Sequence, residues 1–520
     1  MKPIQLVIPM SGQGTRFRKA GYELPKPLIP VTETPIIERL LANFPQNWPT
    51  TFIIAENHWE TELPDRLKQL RPGCKIFTVK AHKLGPTWSV EQALTQLEEG
   101  PIFISYCDYA MVWDSAQFER FVSDSECEAC VIAYRGFHAH YLSSMPYAYL
   151  RLSGERVVEI REKGWFTDDR EKEYASSGGY YFKSKETLQR AIDSQKDLEL
   201  FINGEYYTSL TVEGLLKKDP DAHVRVFEIP GFFQWGTPED LETYCYWERC
   251  FRARNRFIAQ NLKVDQILMP MAGKGSRFHG ISKKRKPLIN VEGAPMFEKA
   301  LQSLPQADRT TIIALSELKS DLKHFPYQFL FLDKTPQGQA LTTDMGLNTL
   351  KEGDLIISSC DHALVLDPAR WSRFKSLGKY DAAIFTANGF PNATKKPEDF
   401  SWVQAINSGE FPSVENVSVK KRLSNPKEDH LLVGSFWFRN VEIVKEGIEK
   451  LKKSNLKVNG ELYLDSIFNF LIAAGRNVCI IPLDGYINWG DPNSLAESLY
   501  WYEILFARSL HRRDRFPGVN

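Results

Sequence analysis

The chain has 520 residues, 25% of them charged, and a formal net charge of zero. That length exceeds one ordinary core and suits two domains of about 250 residues each. The balanced charge advertises neither a nucleic-acid-binding field nor an acidic tail. No window approaches the roughly 18 consecutive apolar residues of a membrane span, and the opening MKPIQLVIPM runs into a glycine loop instead of a cleavable signal. A cytoplasmic protein with a small soluble ligand is expected, with neither a nucleic-acid nor a membrane partner.

In chain order, the first half offers the apolar runs IQLVIPM, TFIIAEN, KIFTVK, PIFISYC, ACVIAYR, RVVEI, SGGYYF and VRVFEI, separated by amphipathic stretches. Such alternation predicts an α/β fold with a mostly parallel central sheet, buried on both faces and flanked by helices. The first run enters IPMSGQGTRFRKAGYELPKPLIPV, from Ile8 to Val31. Without a Cβ, Gly12 and Gly14 let backbone N–H groups approach a ligand. Arg16 supplies a planar cation able to take two phosphate oxygens. Lys26 adds a compact charge, and its place before a proline predicts extended backbone. Asp108 follows Cys107 at the end of PIFISYC, where open α/β sheets bind their ligands. The half closes on an aromatic, then basic, helix from Leu241.

The second half repeats the first. Met269 to Val291 reads MPMAGKGSRFHGISKKRKPLINV, so Gly273, Gly275, Arg277 and Lys286 form a second phosphate cradle. Cys360-Asp361-His362-Ala363 answers Cys107-Asp108-Tyr109-Ala110, Asn459-Gly460-Glu461 answers Asn203-Gly204-Glu205, and Trp489-Gly490-Asp491-Pro492 answers Trp235-Gly236-Thr237-Pro238. A repeat this long means tandem domains, 1–261 and 262–520, not a solenoid. The loop has neither the third glycine and later acid of a dinucleotide fingerprint nor the Gly-Lys-Ser/Thr ending of a P-loop. Cys127 and Cys130 lack a second pair at zinc spacing and read as a plain thiol pair. Tyr244, Tyr246, Trp247, Tyr500, Trp501 and Tyr502 read as packing residues. His138 and His140, without further ligands, read as surface or hydrogen-bonded residues.

The Gly-x-Gly-Thr/Ser-Arg-Phe loop, the Lys-Pro-Leu, the strand-end aspartate and Trp-Gly-Thr-Pro-Glu-Asp-Leu at Trp235 to Leu241 resemble the sugar-phosphate nucleotidyltransferases, in particular those of bacterial capsule and surface-glycan synthesis. The resemblance covers both halves and implies two tandem GT-A/Rossmann-like domains. It also implies transfer of a nucleotidyl group from a nucleoside triphosphate to a phosphorylated acceptor such as a sugar 1-phosphate, with Mg²⁺ as cofactor. By matching motifs, Gly12, Gly14 and Arg16 would hold the triphosphate and Lys26 the charge growing at the α-phosphate. Asp108 and Asp361 would bind metal, Lys163 would meet the acceptor phosphate, and Gly85 would lie where the base is read.

Two departures stand out. Gln234 and Asn488 occupy the place of the family's second metal aspartate, leaving Glu205 and Glu461 as substitutes or as ordinary exposed glutamates. Glu162-Lys163 has no acidic counterpart in Val419-Lys420-Lys421-Arg422, and Asp491 brings a carboxylate that would repel phosphate or bind metal. The first half is therefore expected to be the better enzyme, and the second either takes a different acceptor or is degenerate. Two rival readings are a nucleotide-sugar-dependent glycosyltransferase and a non-catalytic nucleotide-binding module. Asp108-Tyr109-Ala110 lacks the Asp-x-Asp of the former.

Overall fold

The apolar runs become strands whose alternate residues enter opposite cores. Leu6 and Ile8 pack into one buried cluster and Val7 into another, all at 0% exposure, so the strand is covered on both faces. The structure, a computed structural model, describes residues 2–142, 147–257, 262–406 and 409–507, apart from the side chains of His140 and Ala507. His140 and the basic end of the second closing helix thus lie outside what is described. Residues up to Cys245 form one compact unit and those from Tyr246 another, the division falling inside the helix Pro238–Phe257.

The first unit is built on a nine-stranded sheet in the order Lys75–Val79, Thr50–Ala55, Gln5–Met10, Ile102–Ser105, Tyr174–Phe182, Ala129–Tyr134, Val224–Glu228, Arg156–Arg161, Tyr149–Ser153. It is parallel from Lys75–Val79 to Ile102–Ser105. Tyr174–Phe182 then runs antiparallel to both its main neighbours, and only Val224–Glu228 returns to parallel pairing, with Ala129–Tyr134. The sheet is therefore mixed, with the parallel character concentrated on the side that carries the glycine loop. The second unit repeats this order with Gln328–Leu332, Gln306–Leu315, Lys263–Met271, Leu355–Ser358, His430–Phe438, Ala382–Ala387, Val478–Pro482, Ser413–Ser418 and Ser401–Ile406.

A separate ribbon brings the chain's distant motifs together. Tyr109–Val112 pairs antiparallel with Gly231–Gln234, Tyr109 opposite Gln234, and the Trp235 N–H then donates to the Asp108 carbonyl at 2.7 Å. In the second unit His362–Val365 pairs with Gly485–Asn488, and the Trp489 N–H donates to the Asp361 carbonyl at 2.8 Å. Trp235 and Trp489, each 1% exposed, anchor the turns from below.

Packing also disposes of the other aromatics and thiols. Tyr244, Tyr246, Trp247 and Trp501 are buried, as their helical spacing suggests, and Cys127 and Cys130 are both at 0% exposure. His138 is not a surface residue: it is 2% exposed, and its Nε2 lies 3.0 Å from the Phe232 carbonyl. Desolvation keeps its imidazole well below the ordinary histidine range, at about 3.

Gly85 opens the helix Pro86–Ala93 at φ 90° and ψ 172°, a region essentially reserved for glycine. A Cβ there would lie 2.7 Å from the backbone N and O of Tyr206. Gly85→Ala is expected to cost about 1–3 kcal/mol from backbone strain alone, read as a lower urea midpoint; an unchanged midpoint would refute the close approach.

Candidate active site

The first unit's site gathers at the carboxyl ends of the parallel strands. Gly14, at φ 59°, precedes a one-turn helix, Thr15–Lys19, that presents Arg16 to solvent. A Cβ at Gly12 would meet nothing within 4 Å, so that side of the loop is open. Phe17 turns inward to 2% exposure and lies under the Lys26 ammonium, 5.4 Å from ring centroid to Nζ. The phenylalanine of Arg-Phe is thus the floor on which the lysine rests, a role the motif alone did not reveal.

Lys26 does not lie in extended backbone. Lys26–Leu28 forms a 3-10 turn, closed by Leu28 N–H to the Pro25 carbonyl and Ile29 N–H to the Lys26 carbonyl. Those two hydrogen bonds overrule the pre-proline bias. The turn aims Nζ at Asp108 Oδ2, 2.5 Å away, and at the Gly236 carbonyl, 3.2 Å away. The lysine and aspartate side chains are 20% and 25% exposed. Burial, the largest single influence, would lower the Lys26 pKa, but the charge and hydrogen bond of Asp108 together with Cys107 outweigh it and hold the ammonium above the usual lysine range. Cys107 is half-buried, and desolvation with the neighbouring carboxylate pushes its thiol up to about 12, leaving it unreactive.

A second carboxylate stands beside this pair. A Cβ on Gly236 would lie 3.4 Å from Asp108 Oδ2 and 3.7 Å from Asp240 Oδ2, so the bare glycine separates two acids. Asp240 accepts from Gln234 Nε2 at 2.7 Å, from the Thr237 N–H at 3.1 Å and from Thr237 Oγ1 at 2.8 Å. Asp240 thus closes a capping box on the helix Pro238–Phe257, and burial raises its pKa, Asp108 adding to the shift. Glu205 instead sits near Tyr207 and Glu162. Among the described residues no cluster of three or more His, Cys, Asp or Glu side chains could hold a metal ion.

Lys163, at φ 53°, donates to the Tyr207 hydroxyl at 2.7 Å, its ammonium 4.5 Å from that ring's centroid. Glu162 beside it accepts from Ser209 Oγ at 2.6 Å, and burial raises its pKa. The loop at Gly85 is tied to Tyr206 by Tyr206 N–H to the Leu84 carbonyl, 2.8 Å, and Thr87 N–H to the Tyr206 carbonyl, 3.1 Å. His82, which carried no sequence signal, links that loop to the glycine loop. Its Nδ1 accepts from the Leu84 N–H at 3.0 Å, and its Nε2 lies 3.1 Å from Ser11 Oγ and 2.8 Å from Ser89 Oγ.

The second unit reproduces this frame. Lys286 Nζ lies 2.6 Å from Asp361 Oδ2 and 3.1 Å from the Gly490 carbonyl, over Phe278 at 5.7 Å. Gly275 is left-handed at φ 62°, Gly273 is open to solvent, and Arg277 is exposed. Asp491 is engaged in a helix cap, that of Pro492–Tyr502, accepting from the Asn493 and Ser494 N–H groups at 3.0 Å and from Ser494 Oγ at 2.6 Å. The second half is not without an acid by its lysine: Asp465, brought in from another element, acts on Lys420.

The MobA-like NTP transferase domain family matches residues 6–163 and 268–393, together more than half of the chain. No curated protein matches it. Solved structures similar to part of the chain include the nucleoside-diphosphate-sugar pyrophosphorylase from Vibrio cholerae RC9, at 20% identity over 46% of this chain and 99% of that one, TM-score 0.38. A UDP-glucose pyrophosphorylase complexed with UDP-glucose is 14% identical over 46% and 98%, TM-score 0.39. The inositol-1-phosphate CTP transferase from T. maritima is 13% identical over 47% and 98%, TM-score 0.36.

The Asp361 carboxyl gives a measurable handle on the second unit. Burial alone would raise its pKa, but Lys286 and His362 hold it far below the ordinary value of 3.8. Its folded pKa being depressed, its share of stability is present above the unfolded value and is lost as pH falls below about 4. The urea midpoint of Asp361→Asn should therefore fall short of wild type at pH 7, with the gap narrowing between pH 4 and 3. A gap that widens on acidification would contradict the ion pair.

Proposed function

The chain belongs to the MobA-like NTP transferase domain family and is a nucleotidyltransferase; from that premise we propose that the first half joins a nucleoside monophosphate to a small phosphorylated acceptor, of the sugar 1-phosphate kind, for surface-glycan precursors. An oxygen of the acceptor phosphate forms a bond to the α-phosphorus of the triphosphate. The bond from that phosphorus to the bridging oxygen breaks, and pyrophosphate carries away the electron pair. No redox partner is needed, and the protein's task is positioning and charge neutralisation.

The observation that carries this reading is the Lys26 ammonium, held at 2.5 Å from Asp108 above a glycine loop open on one side. In this reading the backbone of Gly12 and Gly14 receives the phosphates, Arg16 takes the departing pyrophosphate, and Lys26 neutralises charge at the α-phosphate. Lys163 receives the acceptor phosphate, and the loop at Gly85 meets the base. The donor chemistry suits a hard divalent cation such as Mg²⁺: an oxygen of Asp108 already holds a cationic group, with Asp240 across Gly236. Such an ion would shield the triphosphate charge when bound. Asp108 would hold it with phosphate oxygens, while Lys26 swings from the carboxylate to the phosphate.

A screen of the four triphosphates against phosphorylated acceptors, read as pyrophosphate release, tests this. For an acceptor used by the first half, Lys26→Met should lower turnover roughly a hundred- to a thousandfold, with the fold intact by circular dichroism. Full turnover by that variant with every acceptor would overturn the proposal.

A further inference from the structure

We propose that the second half is a second transfer site with an acceptor of its own, in which the acid beside the acceptor lysine has moved from the turn after the strand to the facing segment, from the Glu162 position to Asp465. The inference rests on the nucleotidyl-transfer reading above, and the transfer it assigns balances in the same way.

The exchange is visible pair by pair. Lys420 adopts φ 54° where Lys163 adopts φ 53°, a left-handed conformation uncommon for a side-chain-bearing residue. Each ammonium lies over a tyrosine ring, Lys420 over Tyr463 at 6.0 Å and Lys163 over Tyr207 at 4.5 Å. The Asn-Gly-Glu turn precedes both tyrosines, with Asn203 and Asn459 also left-handed. In the first half the turn after the strand Arg156–Arg161 supplies Glu162 and the facing helix answers with Ser209. In the second half the strand side supplies Val419, packed on the core, and the facing turn supplies Asp465. One carboxylate has been lost and one gained, so each lysine keeps an acidic neighbour. Drift in a site without a ligand would not coordinate the two changes or keep the strained backbone under the lysine.

Asp465, like Glu162, is a buried acid beside a hydroxyl and a lysine. It is 7% exposed, with the Ser401 hydroxyl and the Lys420 charge as its neighbours, and no ion pair with the lysine closes within 4 Å. Burial raises its pKa, as it raises that of Glu162. The lysine faces Arg277 and Asp361 as well as Asp465 and Asp399, so it belongs to the same charged group as the triphosphate cradle.

The neighbouring wall differs in a way that sets the acceptor apart. The N–H of Tyr106 donates to the Gly178 carbonyl at 3.3 Å, and the N–H of Ser359 makes the same bond to Gly434 at 3.2 Å. A Cβ on Gly178 would lie 3.0 Å from the Tyr106 ring, whereas one on Gly434 would lie 3.5 Å from Ser359 Oγ and 3.6 Å from His362. A phenol ring in one site is a small hydroxyl in the other. The second acceptor is thus a phosphate monoester that offers Asp465 a hydroxyl or ammonium donor and meets Ser359, with Gln339 donating to its hydroxyl at 3.0 Å, where the first meets Tyr106.

The test uses the full chain with the first half silenced by Lys26→Met, or by Arg16→Ala should that variant not fold. Each triphosphate is offered with glucose 1-phosphate, glycerol 1-phosphate or phosphoethanolamine, and pyrophosphate is read. At least one probe should be turned over, and adding Lys286→Met should abolish it. Asp465→Asn should lower kcat/KM for that probe roughly ten- to a hundredfold, the loss of a hydrogen bond to a charged group, with the triphosphate KM unmoved. Relief of a buried charge should leave that variant melting no lower than its parent at pH 8. Val419→Glu with Asp465→Ser, which rebuilds the first half's arrangement, should recover most of the loss. Turnover by the wild type but by no silenced chain would overturn the inference and leave the first site standing. Turnover indifferent to Asp465→Asn would overturn the acid's assignment. A wild type that turns over nothing and binds no triphosphate would remove the underlying reading instead.

Discussion

Both units depend on an ammonium held between a strand-end carboxylate and a glycine carbonyl. Lys26 joins Asp108 and Gly236, and Lys286 joins Asp361 and Gly490, with matching distances. Each contact ties segments far apart in sequence, so the pair forms only when the glycine loop, the fourth strand of the parallel group and the returning ribbon have all docked. A charge pair in such partial burial contributes little net stability by itself, because desolvation offsets its attraction. Its persistence in both copies argues for chemistry: a cation that can pass from a carboxylate to a phosphate without crossing open water.

The constraint explains residues that have no chemistry of their own. Gly236 puts bare backbone between Asp108 and Asp240, and the buried Phe17 ring supports the lysine. Gly85 and Gly338 must be glycines because the backbones of Tyr206 and Leu462 pass within 3 Å of where a Cβ would stand. The Lys-Pro turn gives the lysine a short stiff base, so its reach is fixed by two backbone hydrogen bonds instead of by side-chain packing.

Much of this was legible in the chain. Continuous apolar runs followed by amphipathic stretches mark strands covered on both faces, and the repeated loop locates both cradles and both aspartates at strand ends. The antiparallel part of the sheet was not legible, because Tyr174–Phe182 is buried on both faces and reads no differently from a parallel strand. The backbone of Lys26 was misread because the pre-proline bias is local, whereas the turn is closed by Pro25 and Ile29. Asp240 was hidden inside Thr-Pro-Glu-Asp, a pattern that a helix cap fully accounts for. Asp465 was invisible because a matched-position comparison looks for an acid in the same turn, and this one arrives from across the site. His82 had no motif at all; only the folded loops bring it to Ser11 and Ser89.

The caps beside the two aspartates show the same principle of charge kept while position changes. In the first unit Gln234, Thr237 and Asp240 form the cap; in the second Asn488, Asp491 and Ser494 do, with Asn488 Nδ2 donating to Ser494 Oγ at 3.3 Å. The acid moves between the first and fourth positions of the box, and either placement satisfies the helix N-terminus. The consequences for the site differ. With the acid at the fourth position, Asp240 raises the negative potential around Asp108, and a cation bound there would face two carboxylates. With the acid at the first position, Asp491 accepts two backbone N–H groups on Oδ1 and the Ser494 hydroxyl on Oδ2, and Asn488 turns its carbonyl to the Gly490 N–H at 2.9 Å. On the proposed reading, a metal at the second site would rely more on the triphosphate's own oxygens, and its metal dependence should follow nucleotide concentration more steeply than that of the first.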